Sequence, residues 1–339
     1  MTKGRVPSRL LSIVLLLSFF VCALSSCERR TNRIFYEYFD TVTVVYDYSD
    51  GKQRDFDKNC ELIEEMVSEC HKLFDIYNEY EGIINIATIN KNAGGEPLKV
   101  DEKIIDLIDF SLEMYALTDG SINVAMGSVL SLWHTLRAEG KRIPTEEELR
   151  ARAEHIDPKN IVIDRENSTV RLLDPEMSLD VGAVAKGYTA ELVAKMLTDR
   201  GVSGYALDFG GNLRLLGKKA DGGSWTVGIK NPDRSAEEKY VRSVEIYDTS
   251  LVTSGVYERF YTVDGVSYHH IIDSETLMPG NRYLSVSVMT PSSALADALS
   301  TALFNMDIDD ARALISTLGN VEATFILPNG EIVVARGSD

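Results

Sequence analysis

From Gly204 onward the chain is a succession of short segments rich in alternating or β-branched apolar residues: "GYALDF", "NLRLLG", "WTVGIK", "VRSVEIY", "ERFYTV", "LSVSVMT", "EATFIL" and "EIVVA". Segments of that length bounded by Gly, Asp, Asn and Pro read as strands joined by turns. Only two helical patterns interrupt them, around Ala296–Asn305 and Asp309–Leu318. A sheet of this size must bury a face, and the cover is encoded mostly upstream. Apolar residues at Leu62, Ile63, Met66, Val67, Cys70, Leu73 and Phe74 form one face of a helix predicted over Asp57–Tyr77. A second helix is predicted from Glu102 to Leu117, and a short exposed one in "IPTEEELRARAEH", where Pro144 and a run of acids mark the start. "FYEYFDTVTVVYDY" is predicted as a strand, "NIVID" and "TVRLL" as a strand pair, and a further helix reaches about Asp199. No stretch between Phe35 and the end has linker composition. The expectation is one mixed α+β domain over residues 35–339, its sheet and helices sharing a core.

The N-terminus has another logic. Lys3, Arg5 and Arg9 precede the apolar run "LLSIVLLLSFFVCAL", too short for a comfortable span and flanked as secretory signals are. It closes on "LSSC", Leu24–Cys27, an apolar residue and two small ones before a cysteine, as in a bacterial lipobox. An ordinary signal or an uncleaved anchor is the alternative. The expected organisation is a signal peptide over 1–26, lipidation at Cys27, and a polar tether over 27–34. Export to the periplasmic face of the inner membrane follows as an expectation. Processing would remove three positive charges from a chain whose formal charge is already −17. So acidic a body is a poor partner for nucleic acid or anionic headgroups, and the acyl chains would have to anchor it. Cys60 and Cys70 are ten residues apart on one predicted helix, about 15 Å along its axis, too far to bridge.

Four clusters could carry chemistry. "SLDVGAVAKGY", Ser178–Tyr188, places an acid, small residues and a lysine between a β-like run and a helix, without the spacing of a phosphate loop or dinucleotide fingerprint. A strand-to-helix turn packed by small side chains explains it as well. "DFGGNLRLLG" reads as a hairpin turn whose glycines also allow close approach to the backbone. "YHHIIDSETLMPG" carries adjacent histidines which, on an extended segment, point to opposite faces. In "ADALST", a helix would put Asp297 and Thr301 on one face, hard oxygens suited to Mg²⁺, although an acid near a helix start also suits the dipole. No His/Cys set has zinc spacing.

In order along the chain, "FDTVTVV", "FDIYN" followed by "IN", "DGS…GSVLSLW", "DVGAVAKGY", "DFGGN", "TSGVYERF", "HHIID…PG" and "ADALSTALF" resemble the ApbE family of bacterial FAD:protein FMN transferases. The resemblance covers nearly the whole chain after Cys27. It implies an α+β flavin-transferase domain that binds FAD and Mg²⁺, moves FMN onto a Thr or Ser hydroxyl of a target protein and releases AMP. The targets implied are membrane redox-complex subunits or exported flavoproteins. Matched by position, Asp180 and Lys186 belong to a flavin-contacting loop, with Ala183 offering Mg²⁺ its carbonyl beside Asp297 and Thr301. Ala125, Met126 and Gly127 fall near the flavin, with Phe39, Tyr77 and Asn78 as further FAD contacts. His270, Ile271 and Ile272 match an element whose histidine acts in transfer, leaving His270 and Asp297 as the expected catalytic residues. Asn123 and Ala125 stand where many members have Asp and Thr, Leu277 replaces a usual glycine, and a Ser-Glu pair after Asn78 is missing. Two other readings are a Mg²⁺-dependent FAD pyrophosphatase yielding FMN and AMP, and a non-catalytic, lipid-anchored flavin-binding protein. The second needs no metal ligands, so Asp297 with Thr301 argues against it.

Overall fold

The computed structural model describes residues 31–338. Cys27 and the signal segment therefore lie outside the described residues. An eight-stranded, wholly antiparallel sheet runs in the order β1-β2-β6-β7-β10-β13-β14-β15. Its strands are β1 (Thr31–Tyr38), β2 (Thr41–Asp47), β6 (Tyr205–Phe209), β7 (Asn212–Leu216), β10 (Ser250–Gly255), β13 (Ser285–Thr290), β14 (Glu322–Ile326) and β15 (Ile332–Arg336). Helices α1 (Gln53–Phe74) and α6 (Ala185–Asp199) cover one half of one face through Phe56, Ile63, Val67, Val193 and Leu197. On the other half of that face, α7 (Ser293–Asn305) and α8 (Ile308–Ser316) pack Leu299, Leu303 and Ile315 onto Val286, Val288 and Phe325. The opposite face is sheltered by a two-stranded ribbon, β8 (Trp225–Lys230) and β9 (Tyr240–Ile246), which sets Trp225, Ile229 and Val244 against Leu215 and Leu251. With both faces covered, β13 is buried at every position, which its near-continuous apolar and small sequence permits.

A second layer holds α2 (Ile86–Lys91), α3 (Glu102–Leu117) and the small sheet β3-β5-β4 (Leu98–Lys99, Thr169–Leu172, Ile161–Asp164), sharing one core with the end of α1. Between this layer and the hairpin β11–β12 (Phe260–Val263, Val266–His269) run α4 (Gly127–Glu139) and α5 (Glu146–Ala153). Among the described residues no helix is long and apolar enough to cross a membrane.

The mixed α+β single domain is as expected; β3, β10, β12, α2 and α4 had no predicted counterpart, and three expected elements differ in extent. "FYEYFDTVTVVYDY" is not one strand: Phe39 and Asp40 both adopt positive φ (54° and 50°) and fold it into a two-residue hairpin. Twisted antiparallel strands close most readily through such a turn, usually built from Asn and Gly; alternation alone did not reveal it. Among the described residues β1 already spans Thr31–Tyr38, so residues 31–34 belong to β1 and not to a tether, Ile34 pairing with Val44. Helix α1 runs from Gln53 and stops at Phe74, because the Asp75 side chain takes over the next main-chain amides. Cys60 and Cys70 are buried free thiols on α1, and burial pushes both up to about 12.

Candidate active site

A cleft of about 560 Å³ opens between the α6–α7 contact, the β6–β7 and β1–β2 turns, helix α4 and the β11–β12 hairpin. Its floor depends on one close approach. A Cβ on Gly187 would lie 2.4 Å from the Asp297 Cβ and 2.5 Å from the Ser293 carbonyl, so only glycine lets α6 and α7 meet there. Asp297, 4% exposed, then accepts the Gly187 N–H at 2.7 Å and faces Lys186 Nζ at 3.4 Å. Thr301, one turn further along α7, meets Ser254 of β10 at 3.3 Å. Ser254 in turn contacts the Ser300 hydroxyl at 2.9 Å, so hydroxyls converge beside the carboxylate. Asn212 follows the Gly210–Gly211 turn, whose positive φ values (64° and 94°) confirm the hairpin reading. Its Oδ1 accepts from Ser293, while its Nδ2, buried on the cleft floor, has no partner. A buried amide donor without an acceptor is costly unless a ligand supplies one.

The loop from Asp180 to Lys186 forms the next wall. Asp180 donates its N–H to Val124 and accepts that of Gly182 at 2.9 Å. Burial raises its carboxyl, opposed by the Gly182 amide and by the charges of His134 and Arg137. Above it, Asp75 organises the aromatic side. Its carboxylate accepts the main-chain amides of Tyr77 (2.7 Å) and Asn78 (3.0 Å), the Asn78 side-chain amide and the Tyr80 hydroxyl. Burial alone would raise Asp75, but these donors together hold it below the usual carboxylate range. They fix Tyr77 in the cleft, 57% exposed and stacked on His134 with ring centroids 5.0 Å apart. Phe39, on the strained turn, sets its ring edge-on to His71.

The two histidines diverge as extended geometry requires. His269 is buried, bonded through Nε2 to the Gly280 carbonyl and edge-on to Phe304. His270 turns its Nδ1 to the Arg259 carbonyl at 3.2 Å and is pushed down to about 4, by burial first and then by the charges of Arg259, His269 and Arg137. The following loop is held by Asp273, which accepts the Glu275 and Thr276 amides and pairs with Arg282 at 2.8 Å. Leu277 within that loop sits at φ 60°, a left-handed conformation that explains why glycine suits the position.

The structure thus places Phe39, Tyr77, Asn78, Met126, Asp180, Ala183, Lys186, His270, Ile271, Ile272, Asp297 and Thr301 on one cleft. It does not place Ala125 and Gly127 there. Ala125 is fully buried in the core behind the wall, its N–H bonded to Asn123. Gly127 starts α4 with its Cα pressed onto Ser178, where a Cβ would lie 2.4 Å from the carbonyl oxygen. Both back the cleft wall at Met126. Motif reading missed His134, Arg137 and Arg259, which reach the cleft from α4 and from the segment after β10. Neither arginine has an ion-pair partner among the described residues. Long side chains on an unpredicted helix (His134, Arg137) and on a loop (Arg259) leave little local signal.

The donor set suits a hard cation. Among the described residues no three His, Cys, Asp or Glu side chains gather as a metal site. Asp297, Thr301 and a main-chain carbonyl of the Ala183 wall could hold only an ion content to take its other ligands from water and phosphate, as Mg²⁺ is. The orphaned Asn212 donor, the aromatic wall and the unpaired arginines fit an aromatic, phosphorylated ligand. The ApbE family model matches residues 40–325. The chain belongs to the ApbE family. It is 34% identical over 266 residues to the FAD:protein FMN transferase of Treponema pallidum (strain Nichols), covering 74% of this chain and 73% of that protein. A FAD:protein FMN transferase of Klebsiella pneumoniae (strain 342) is 30% identical over 272 residues, covering 78% and 84%. The crystal structure of the ApbE protein of Thermotoga maritima superposes with a TM-score of 0.79 at 26% identity, covering 91% of this chain and 97% of that one.

Proposed function

We infer that the chain is a Mg²⁺-dependent FAD:protein FMN transferase. The observation that carries this reading is the Asp297 carboxylate, buried and fixed by the Gly187 amide, with the Thr301 hydroxyl one turn on and the unpartnered Asn212 donor beside it. The aromatic wall of Phe39 and Tyr77 receives the ring system of FAD, and the Asp180–Lys186 loop faces the pyrophosphate. Asp297, Thr301 and the Ala183 carbonyl would hold Mg²⁺, which would supply charge neutralisation at the phosphates. In the reaction, the oxygen of an acceptor Thr or Ser bonds to the phosphorus on the FMN side. The bond from that phosphorus to the bridging oxygen breaks, and AMP leaves with the oxygen. His270, neutral and desolvated, takes the hydroxyl proton, and the walls hold the reacting groups in line. Water in place of the acceptor would give FMN and AMP, so FAD hydrolysis is the accompanying side activity. The chain acts as a lipoprotein anchored through Cys27 at the periplasmic face of the inner membrane.

Incubation with FAD, Mg²⁺ and a periplasmic extract, followed by a denaturing gel, should show flavin-fluorescent protein. Asp297→Asn preserves shape but removes the charge. It should lose at least a hundredfold in FAD turnover at saturating FAD, a cost of about 2.7 kcal/mol in barrier. EDTA should silence the wild type, and Mg²⁺ restore it. A variant with normal turnover, or a wild type indifferent to EDTA, overturns the metal assignment; a wild type that binds FAD without turning it over would be a flavin-storage protein.

A further inference from the structure

A second cavity, of about 670 Å³, lies on the outer side of the β11–β12 hairpin and shares a wall with the cleft: His269 lines both. The two differ in chemistry. The cleft carries Lys186, Arg137, Arg259 and several acids, whereas no Asp, Glu, Lys or Arg lines the second groove. Its walls are Tyr257, Phe260, Val266, Met278, Pro279 and Tyr283, with Phe260 53% and Val266 52% exposed at the rim. An uncharged groove has nothing to offer a pyrophosphate, so it is no extension of the FAD site. Exposed apolar residues clustered on a charged, acidic protein mark a contact surface.

Three features identify what is contacted. The groove and the reaction cleft abut at His269, which lines both, so its occupant lies beside the reaction cleft. Strand β12 pairs only with β11 among the described residues, leaving its other edge open to an extended chain. Register places Phe260 opposite His269, and Arg259 bonds His270, so the hairpin that lines the groove also carries the base. We propose that this groove seats the acceptor protein: apolar side chains flanking the acceptor hydroxyl fill it, in an extended segment that passes His269 and presents the hydroxyl to His270. The inference rests on the transferase reading and adds how the acceptor is chosen, by apolar neighbours of its Thr or Ser.

The test uses the full-length chain and two fluorescent dodecapeptides, each with one Thr, flanked in one by Val and Leu and in the other by Ser and Gly. Binding is read by anisotropy without FAD, and flavin attachment separately with FAD and Mg²⁺. The wild type should bind the apolar-flanked peptide at least tenfold more tightly than the polar one. Phe260→Ser with Val266→Thr, which changes two exposed rim residues outside the cleft, should abolish that preference and leave FAD affinity unchanged. Equal binding of both peptides, or an unaffected variant, overturns the proposal. So does a change in sedimentation with no peptide binding, which would make the groove a contact between copies. Peptide seated by the wild type but never flavinylated would keep the groove and sink the transferase reading instead.

Discussion

Gly187 and Asp297 show how little stands between a working cleft and a packed interior. The glycine is a permissive contact: the carboxylate occupies the space its missing Cβ leaves. Gly187→Ala should force α6 from α7, costing about 1–3 kcal/mol as overpacking does. Chemical denaturation and FAD turnover should fall together, since the displaced group is Asp297 itself. A variant with native stability and turnover would show that the helices can yield. His270 makes a different prediction. Its folded pKa, about 4, lies below the usual value near 6.5, so the neutral, proton-accepting form prevails down to about pH 4. kcat/KM for FAD should hold from pH 7 to 5 and lose its acid limb only near 4. The linkage has the matching sign: the unfolded chain binds the extra proton between about 6.5 and 4, so this histidine lowers stability as pH falls through that window and has no effect above it. An acid limb near 6.5, or one unmoved by His270→Ala, would count against the assignment. Lys186 and Asp297 were legible because four-residue spacing and short motifs carry them; His134, Arg137 and Arg259 were not, because each enters the cleft through tertiary placement.

Elements divide along the same line. Helix α3, Glu102–Leu117, was legible because its apolar residues recur at helical spacing. Eight of the ten strands after Gly204 were legible because turn residues bound them; β10 and β12 were not. The β1–β2 hairpin was hidden, since its turn is Phe39–Asp40 where a loop would ordinarily show Asn–Gly. That choice looks functional: Phe39 lines the cleft from a position that costs backbone energy. Asp40 borders the same cleft but is exposed there, and it shares the left-handed strain. Asp40→Gly should therefore relieve about 1 kcal/mol of left-handed strain, raising the melting temperature by about 2 °C with Phe39 in place. A lowered melting point would mean that the Asp40 carbonyl bond to Arg259 outweighs the strain.

For the whole molecule, the acidic charge of −17 and the N-terminal pattern argue for attachment by acyl chains and not by headgroup charge. Fatty-acid labelling in cells should mark the wild type and miss Cys27→Ser; equal labelling of both would place the chain in the membrane by other means, or nowhere near it. Because β1 already includes Thr31, at most residues 28–30 separate Cys27 from the sheet, and an anchored protein would stand close to its bilayer. The domain's single core, one sheet with helices on one face and a ribbon on the other, was legible from the absence of linkers; which helices meet to make the cleft was not, since contact between α6 and α7 is set by Gly187, a residue with no pattern of its own.

The hydrogen bond from Gly187 to Asp297 spans 110 residues of sequence. Synthesis delivers these two ends at different times, and long-range pairing of this kind completes late. No N-terminal fragment of the chain can own the site, however well its helices form. Any ligand held through Asp297 can be taken up only after the last quarter of the polypeptide has docked, so the compartment in which folding finishes is the one that would supply it.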